Sequence, residues 1–241
     1  MTFVAVKDAL DAIPPLSFVG WRFLIGAAVL LALSFPKGRP VWRDGSIAGG
    51  ILFVGYAAQT VGLEQTTATN SGLITGLYVV FTPLLAATFA RLRPAASTVL
   101  GASLSVLGLG MLTISDTFTL STGDLWTLAC AVAFALHIVA LARMAPRHDV
   151  VAFTSVQLLV TAVAALALSA VFEGAGWPPR SVWLTRAITA LVVTCGAFLV
   201  QVWAQTIVGP SRTAIVLALE PLFAVATAAV ILGERLSARG W

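Results

Sequence analysis

The stretch IVLALEPLFAVATAAVILGERL (215–236) sets Glu220 beside Pro221 among residues apolar enough to lie in lipid. A charge at that depth costs on the order of 2.5–3.5 kcal/mol even on insertion scales, so it must face protein or a water-filled cavity. There the carboxylate could exchange a proton or meet a substrate amine, which is coupling chemistry. The plainer alternative is a protonated or hydrogen-bonded glutamate beside a kink, since Pro221 withholds a backbone donor from the Leu217 carbonyl. His137 is the only histidine inside an apolar stretch. It suits proton sensing or substrate contact, and equally a packed, hydrogen-bonded role, which is the expectation here.

Helical spacing gathers the uncharged polar groups onto faces. Ser71, Thr75, Tyr78 and Thr82 follow i, i+4, i+7, i+11; Tyr56 and Gln59 are one turn apart, as are Gln201 and Gln205. Such groups orient a polar solute at little desolvation cost, and mostly apolar walls suit a small-molecule site. Tyr56, Gln59, Ser71, Thr75, Tyr78, His137, Gln201 and Gln205 are therefore the expected cavity lining, with Glu220 as the coupling group and Pro83 and Pro221 as gate kinks. Gln59 and Gln201 also suit bonds across a helix seam, at about 1 kcal/mol or less each. Arg22, in the opening turn of its stretch, is expected to snorkel to the interface.

Catalysis is not expected. Intramembrane hydrolysis needs paired groups, and the chain has no H-E-x-x-H, while Asp124 of TGD lacks a second deep aspartate. Cys130 and Cys195 lie within apolar stretches and suit packing rather than a disulfide or metal pair. No metal or cofactor is expected.

The elements that must position these groups are membrane spans. The chain has 241 residues, 59% hydrophobic and 10% charged, with mean hydropathy +0.98. A soluble domain carries about 25% charged residues, so this one would lack polar surface to cover itself. Charge-free gaps, such as 45–63, 65–90 and 150–172, each house the roughly 20 apolar residues a spanning helix needs. Strict alternation is absent, which argues against an outer-membrane barrel. Spans are expected near 17–35, 46–63, 69–90, 96–114, 123–142, 150–172, 183–207 and 212–232, with Trp42, Trp126, Trp177 and Trp183 as interfacial anchors. MTFVAVKDAL lacks the pattern of a cleavable signal.

The excess of 14 Lys and Arg over 10 Asp and Glu sits in short loops, where it sets orientation rather than marking a nucleic-acid partner. Lys37, Arg39, Arg43, Arg91, Arg93, Arg143, Arg147 and Arg212 fall on one expected side, the cytoplasmic one; Arg235 and Arg239 fall on the other. The run LGASLSVLGLGM (100–111) fits close helix packing, with a homodimer contact as the alternative.

The chain also repeats itself. Residues 56–94 lie over 198–236 without a gap, a shift of 142, so that Gln59 falls on Gln201 and Tyr78 on Glu220. Residues 18–34 lie over 153–169, a shift of 135. Two tandem units, 1–116 and 117–241, with five spans each, must insert with opposite orientation, because five is odd. The first helix of the first unit and the last of the second are cut short, which reads as a fragment of a ten-helix protein or misplaced gene ends.

With these residues in view, TFVAVKDALDAIPPLSFVGWRFLIGAAVLL, SGLITGLYVVFTPLLAATFARLRP and ALEPLFAVATAAVILGERLS resemble the EamA-type family of the drug/metabolite transporter superfamily. The resemblance runs over essentially the whole chain, with RLRP (91–94) standing where the second half has GERL (233–236). It implies an all-α, multi-pass ten-helix carrier of two inverted five-helix halves in the bacterial inner membrane. The implied activity is secondary transport of a small metabolite, an amino acid or drug-like compound, with export favoured. An inactive partial transporter is the alternative.

Overall fold

The structure is a computed structural model that describes residues 14–90, 96, 99–101, 103, 104, 121–174, 189–217 and 219. Glu220, Pro221, Trp177, Trp183 and most of the expected span 96–114 lie outside the described residues.

All regular elements among the described residues are helical. They are α1 (Pro15–Leu33), α2 (Arg39–Gln65), α3 (Ala68–Thr75), α4 (Tyr78–Ala90), α5 (Thr122–Met144), α6 (Val150–Phe172), α7 (Ala197–Ile207) and α8 (Pro210–Leu217). A 3₁₀ turn, Ala145–Arg147, links α5 to α6, and a π-helical segment, Thr189–Gly196, leads into α7. Among the described residues, four helices, Pro15–Leu33, Arg39–Gln65, Thr122–Arg147 and Val150–Phe172, are long and apolar enough to cross a membrane. Their outward faces carry Val54, Leu125, Trp126, Val163, Val171 and Phe172 in the open. Lipid satisfies such a surface; water would not.

The starts of the helices are set locally. Pro14 and Pro15 open α1, where a missing N–H costs nothing. Ser121 and Asp124 form a reciprocal capping box at α5, and the Asp149 carboxylate accepts from the Ala152 N–H at 2.9 Å to open α6. Thr67 accepts from the Asn70 N–H at α3.

Helices α1 and α6 run antiparallel, and the end of each ties the start of the other. Glu173, just past α6, accepts from the backbone N–H groups of Leu16 (2.9 Å) and Ser17 (3.1 Å). Ser34, just past α1, donates to the Asp149 carboxylate at 3.3 Å. Helix α2 lies against both α5 and α6. Its approach to α6 is close at Gly49, where an added Cβ would stand 2.5 Å from the Gln157 carbonyl oxygen. The Thr161 hydroxyl closes that seam by donating to the Gly49 carbonyl at 3.0 Å.

Helix bounds recur at the sequence shifts. Shifting the start of α3 by 142 residues (68 to 210) gives the start of α8, and the end of α2 (65 to 207) gives the end of α7. Shifting the start of α1 by 135 (15 to 150) gives the start of α6.

Two expected spans are not continuous α-helices. The stretch 69–90 breaks at Gly76–Leu77, where Leu77 donates to Ile74, three residues back. The break falls upstream of Pro83, which lies inside α4; a glycine that stabilises helix poorly is a sufficient local cause. The described part of 183–207 begins as a π-helix and becomes α-helical only from Ala197.

Candidate functional site

Where α1, α2, α5, α6 and α7 meet, side chains from each form one buried aromatic and polar cluster. Phe23 of α1, Tyr56 of α2 and Phe198 of α7 surround its middle. Their ring centroids are 4.9 Å (Phe23–Tyr56), 5.8 Å (Phe23–Phe198) and 6.5 Å (Tyr56–Phe198) apart. Phe134 of α5 meets Tyr56 edge-on at 5.3 Å.

One pole of the cluster is Arg22. Its guanidinium carbon lies 5.1 Å from the Phe23 ring centre, 5.2 Å from Tyr56 and 5.6 Å from Phe18. The residue is 4% exposed, and its Nε has no hydrogen-bond partner among the described residues. The snorkelling expected from sequence does not occur. Two turns into α1, tertiary packing folds the side chain under rings from its own helix and from α2. Cation–π contacts of about 0.5–2 kcal/mol each offset part of the several kcal/mol that burial of a charge costs.

The other pole is His137, which is fully buried as expected of a packed histidine. Its Nε2 lies 2.9 Å from Gln157 Oε1. An amide oxygen only accepts, so the histidine Nε2 carries the proton. Gln157 is also buried, and its Nε2 has no partner among the described residues. Phe198 stands 6.3 Å from the His137 ring and joins this pole to the other.

Of the expected lining, Tyr56 and His137 enter this cluster directly. Tyr78 is buried beside Val79, Ala135, Ile138 and Ala214, with Phe134 packed against that group as well, so it adjoins the cluster through Phe134. Thr82 is buried and donates to the Tyr78 carbonyl at 2.7 Å. Ser71 and Thr75 are buried on α3; the Ser71 hydroxyl has no partner, and Thr75 lies beside Cys130. Gln59 and Gln201 are half-buried, one turn beyond Tyr56 and Phe198. Gln205 is buried with both amide atoms unpartnered, a further turn along α7. Cys195 donates to the Gly26 carbonyl at 3.4 Å, and both cysteines are free and buried.

Sequence reasoning by helix face missed Gln157, Phe134 and Phe198. The repeat held the signal for two of them: the shift of 135 sets Arg22 over Gln157, and the shift of 142 sets Tyr56 over Phe198. Both matched pairs converge on the cluster.

Two further polar places lie at the span ends. At one, Asp44 of α2 accepts from Arg43 and pairs with His148 Nε2, each at 2.9 Å, while His148 stacks on Phe153. At the other, Glu64, Thr66, Asn70, Ser121 and Asp124 line a pocket of about 410 Å³, with the Thr66 hydroxyl donating to Asp124 at 2.7 Å. Neither shares a residue with the aromatic cluster.

The comparisons with known proteins agree with a membrane carrier. The sequence matches the EamA-like transporter family over residues 1–114 and 121–241. It is 33% identical over 240 residues to an uncharacterized transporter of Archaeoglobus fulgidus, covering 98% of this chain and 75% of the relative. A protein of known crystal structure superposes with a TM-score of 0.80 at 22% identity, covering 99% of this chain and 86% of the other, a likeness of fold. Nearly its whole length matched, the chain belongs to the EamA-like transporter family, and it is a multi-pass membrane protein of the transporter class.

Proposed function

We propose that this chain is a secondary carrier of the bacterial inner membrane that moves a small metabolite, an amino acid or drug-like compound, by alternating access, in the export direction. The aromatic and polar cluster between Arg22 and Gln157 is the central solute site. Two inverted halves, 1–116 and 117–241, rock around it.

The observation that carries this reading is the meeting of repeat-matched residues at one buried place. Tyr56 and Phe198 face each other at 6.5 Å. Arg22 and Gln157, each about 10 Å inside its helix start by the rise of an α-helix, enter from opposite ends because α1 and α6 are antiparallel. Antiparallel contact of matched helices is what an axis in the membrane plane produces, and carriers of this architecture hold solute near that axis. The recurrence of helix bounds at the two shifts supports the same arrangement.

The broken helix at Gly76–Leu77 supports the rocking. Leu77 donates to Ile74 at 3.0 Å, and Leu219 donates to Val216 at 3.1 Å, the same irregular bond at positions 142 residues apart. Interrupted helices in corresponding positions of two halves are where such carriers bend. Pro83 lies inside the helix that follows the Gly76–Leu77 break and weakens it, and Pro221 is the proposed kink of the second half. The shift of 142 sets Glu220 over Tyr78, and this match to a buried polar position gives Glu220 its proposed role as the proton or charge-coupling group.

The test is solute counterflow in vesicles reconstituted with the chain, using radiolabelled amino acids and a cationic dye. Tyr56→Ala is expected to lower flux of the transported solute by about tenfold or more, the scale of one lost anchoring contact. Val54→Ala, on the exposed face of the same helix, should leave it unchanged. Equal flux in both variants would place the solute path elsewhere.

A further inference from the structure

Among the polar groups of the cluster, those left unspent share one property. Arg22 is a buried cation that no ion pair or hydrogen bond engages among the described residues; the ion pairs there are those of Asp44 with Arg43 and His148. Gln157 has its Oε1 committed to His137 and its Nε2 unpartnered. The open groups, Arg22 Nε–H and the Gln157 amide, are donors. A site with spare donors and a net cation calls for a ligand made of acceptors and carrying negative charge.

Geometry narrows the chemistry. Phe18, Phe23 and Tyr56 approach the guanidinium within 5.1–5.6 Å, so ring surface borders it on several sides. What remains to bind is an in-plane N–H edge, whose match is a planar pair of oxygens making parallel hydrogen bonds. The same rings make a poor setting for a strongly hydrated dianion such as phosphate and a good one for an apolar body attached to the charge. The repeat makes the site one-sided: Gln157, matched to Arg22, is neutral, so a ligand charge has one place to go.

We propose that Arg22 is the specificity-determining residue of the central site, and that the site takes a small organic carboxylate with an apolar or aromatic body, its carboxylate on Arg22. This rests on the cluster being the solute site of a carrier.

The experiment uses the chain in lipid nanodiscs and compares wild type, Arg22→Lys, Arg22→Gln and Arg22→Gln/Glu220→Gln. Phenylacetate, its neutral isostere phenylacetamide and inorganic phosphate are the probes, with tryptophan fluorescence and melting temperature as readouts. Wild type should bind the acid at least about tenfold more tightly than the amide, the scale of one charge-assisted pair, and phosphate not at all. Arg22→Gln should erase that preference while its melting temperature holds or rises, because an uncompensated buried charge has been removed. Arg22→Lys should keep part of the preference, having charge without the fork.

Equal affinity of wild type for acid and amide, no binding of the acid, or preference for phosphate would overturn the proposal. So would a melting temperature that falls in Arg22→Gln and recovers in the double variant, since the charge would then be spent on Glu220. Counterflow of the same probes separates the two readings. Arg22-dependent binding of the acid with no flux of any solute sinks the carrier reading alone; flux indifferent to acid or amide sinks this proposal alone.

Discussion

His137 and Gln157 are one buried, hydrogen-bonded pair within the candidate site. His137→Leu leaves the Gln157 oxygen without a donor and is expected to cost about 1–3 kcal/mol of stability, read by thermal unfolding in detergent. Gln157→Leu on that background removes the stranded amide and should restore most of the loss, since replacing both partners by apolar groups approaches neutrality. If the double variant is less stable than the single one, the bond is not the reason these residues are buried. Helix-face reasoning picked out His137 but gave Arg22 to the interface, because a long cationic side chain near a helix start usually has water within reach. Here aromatic residues on the same helix and on α2 enclose it.

At the scale of elements, the crossing of α1 and α6 holds the site. Glu173 satisfies two N–H groups at the start of α1 that the helix itself cannot, and its negative charge suits the positive end of the helix dipole. Glu173→Ala should cost about 1 kcal/mol. Hydrogen exchange at Leu16 and Ser17 should then quicken while exchange within α5 stays as it is; unchanged exchange at those two amides would mean that the cap is not what orders the start of α1. No local pattern announced this contact, because Glu173 and Leu16 are 157 positions apart. The break at Gly76–Leu77 was equally hidden: apolar periodicity continues across it, and only the hydrogen-bond path reveals the interruption.

For the whole molecule, the cationic side chains at the helix ends gather on one side. Among the described residues, Lys37, Arg39, Arg43, Arg143, Arg147 and Arg212 sit at the end where α1 passes to α2, α5 to α6 and α7 to α8, while Glu64, Asp124 and Glu173 sit at the other. Cationic loops stay on the cytoplasmic side. With Cys130 and Cys195 replaced by alanine, cysteines at the exposed positions Arg39 and Arg147 should react with a membrane-impermeant thiol reagent from the cytoplasmic face only. Cysteines at Thr67 and Thr122 should react only from the opposite face. Labelling of Arg39→Cys and Arg147→Cys from different faces would break the orientation and, with it, the inverted halves.

Membrane class, the long apolar helices and the family were legible in the sequence, because each depends on composition, spacing or motifs along the chain. Tyr56 and His137 were legible as polar residues on apolar helices, which lipid does not tolerate without a partner. That Tyr56, Phe198, Arg22 and the His137–Gln157 pair share one place was decided only in three dimensions. A helix face states which residues point together, but the angle and register at which five helices meet come from packing at contacts such as Gly49 against Gln157, and these no local pattern encodes.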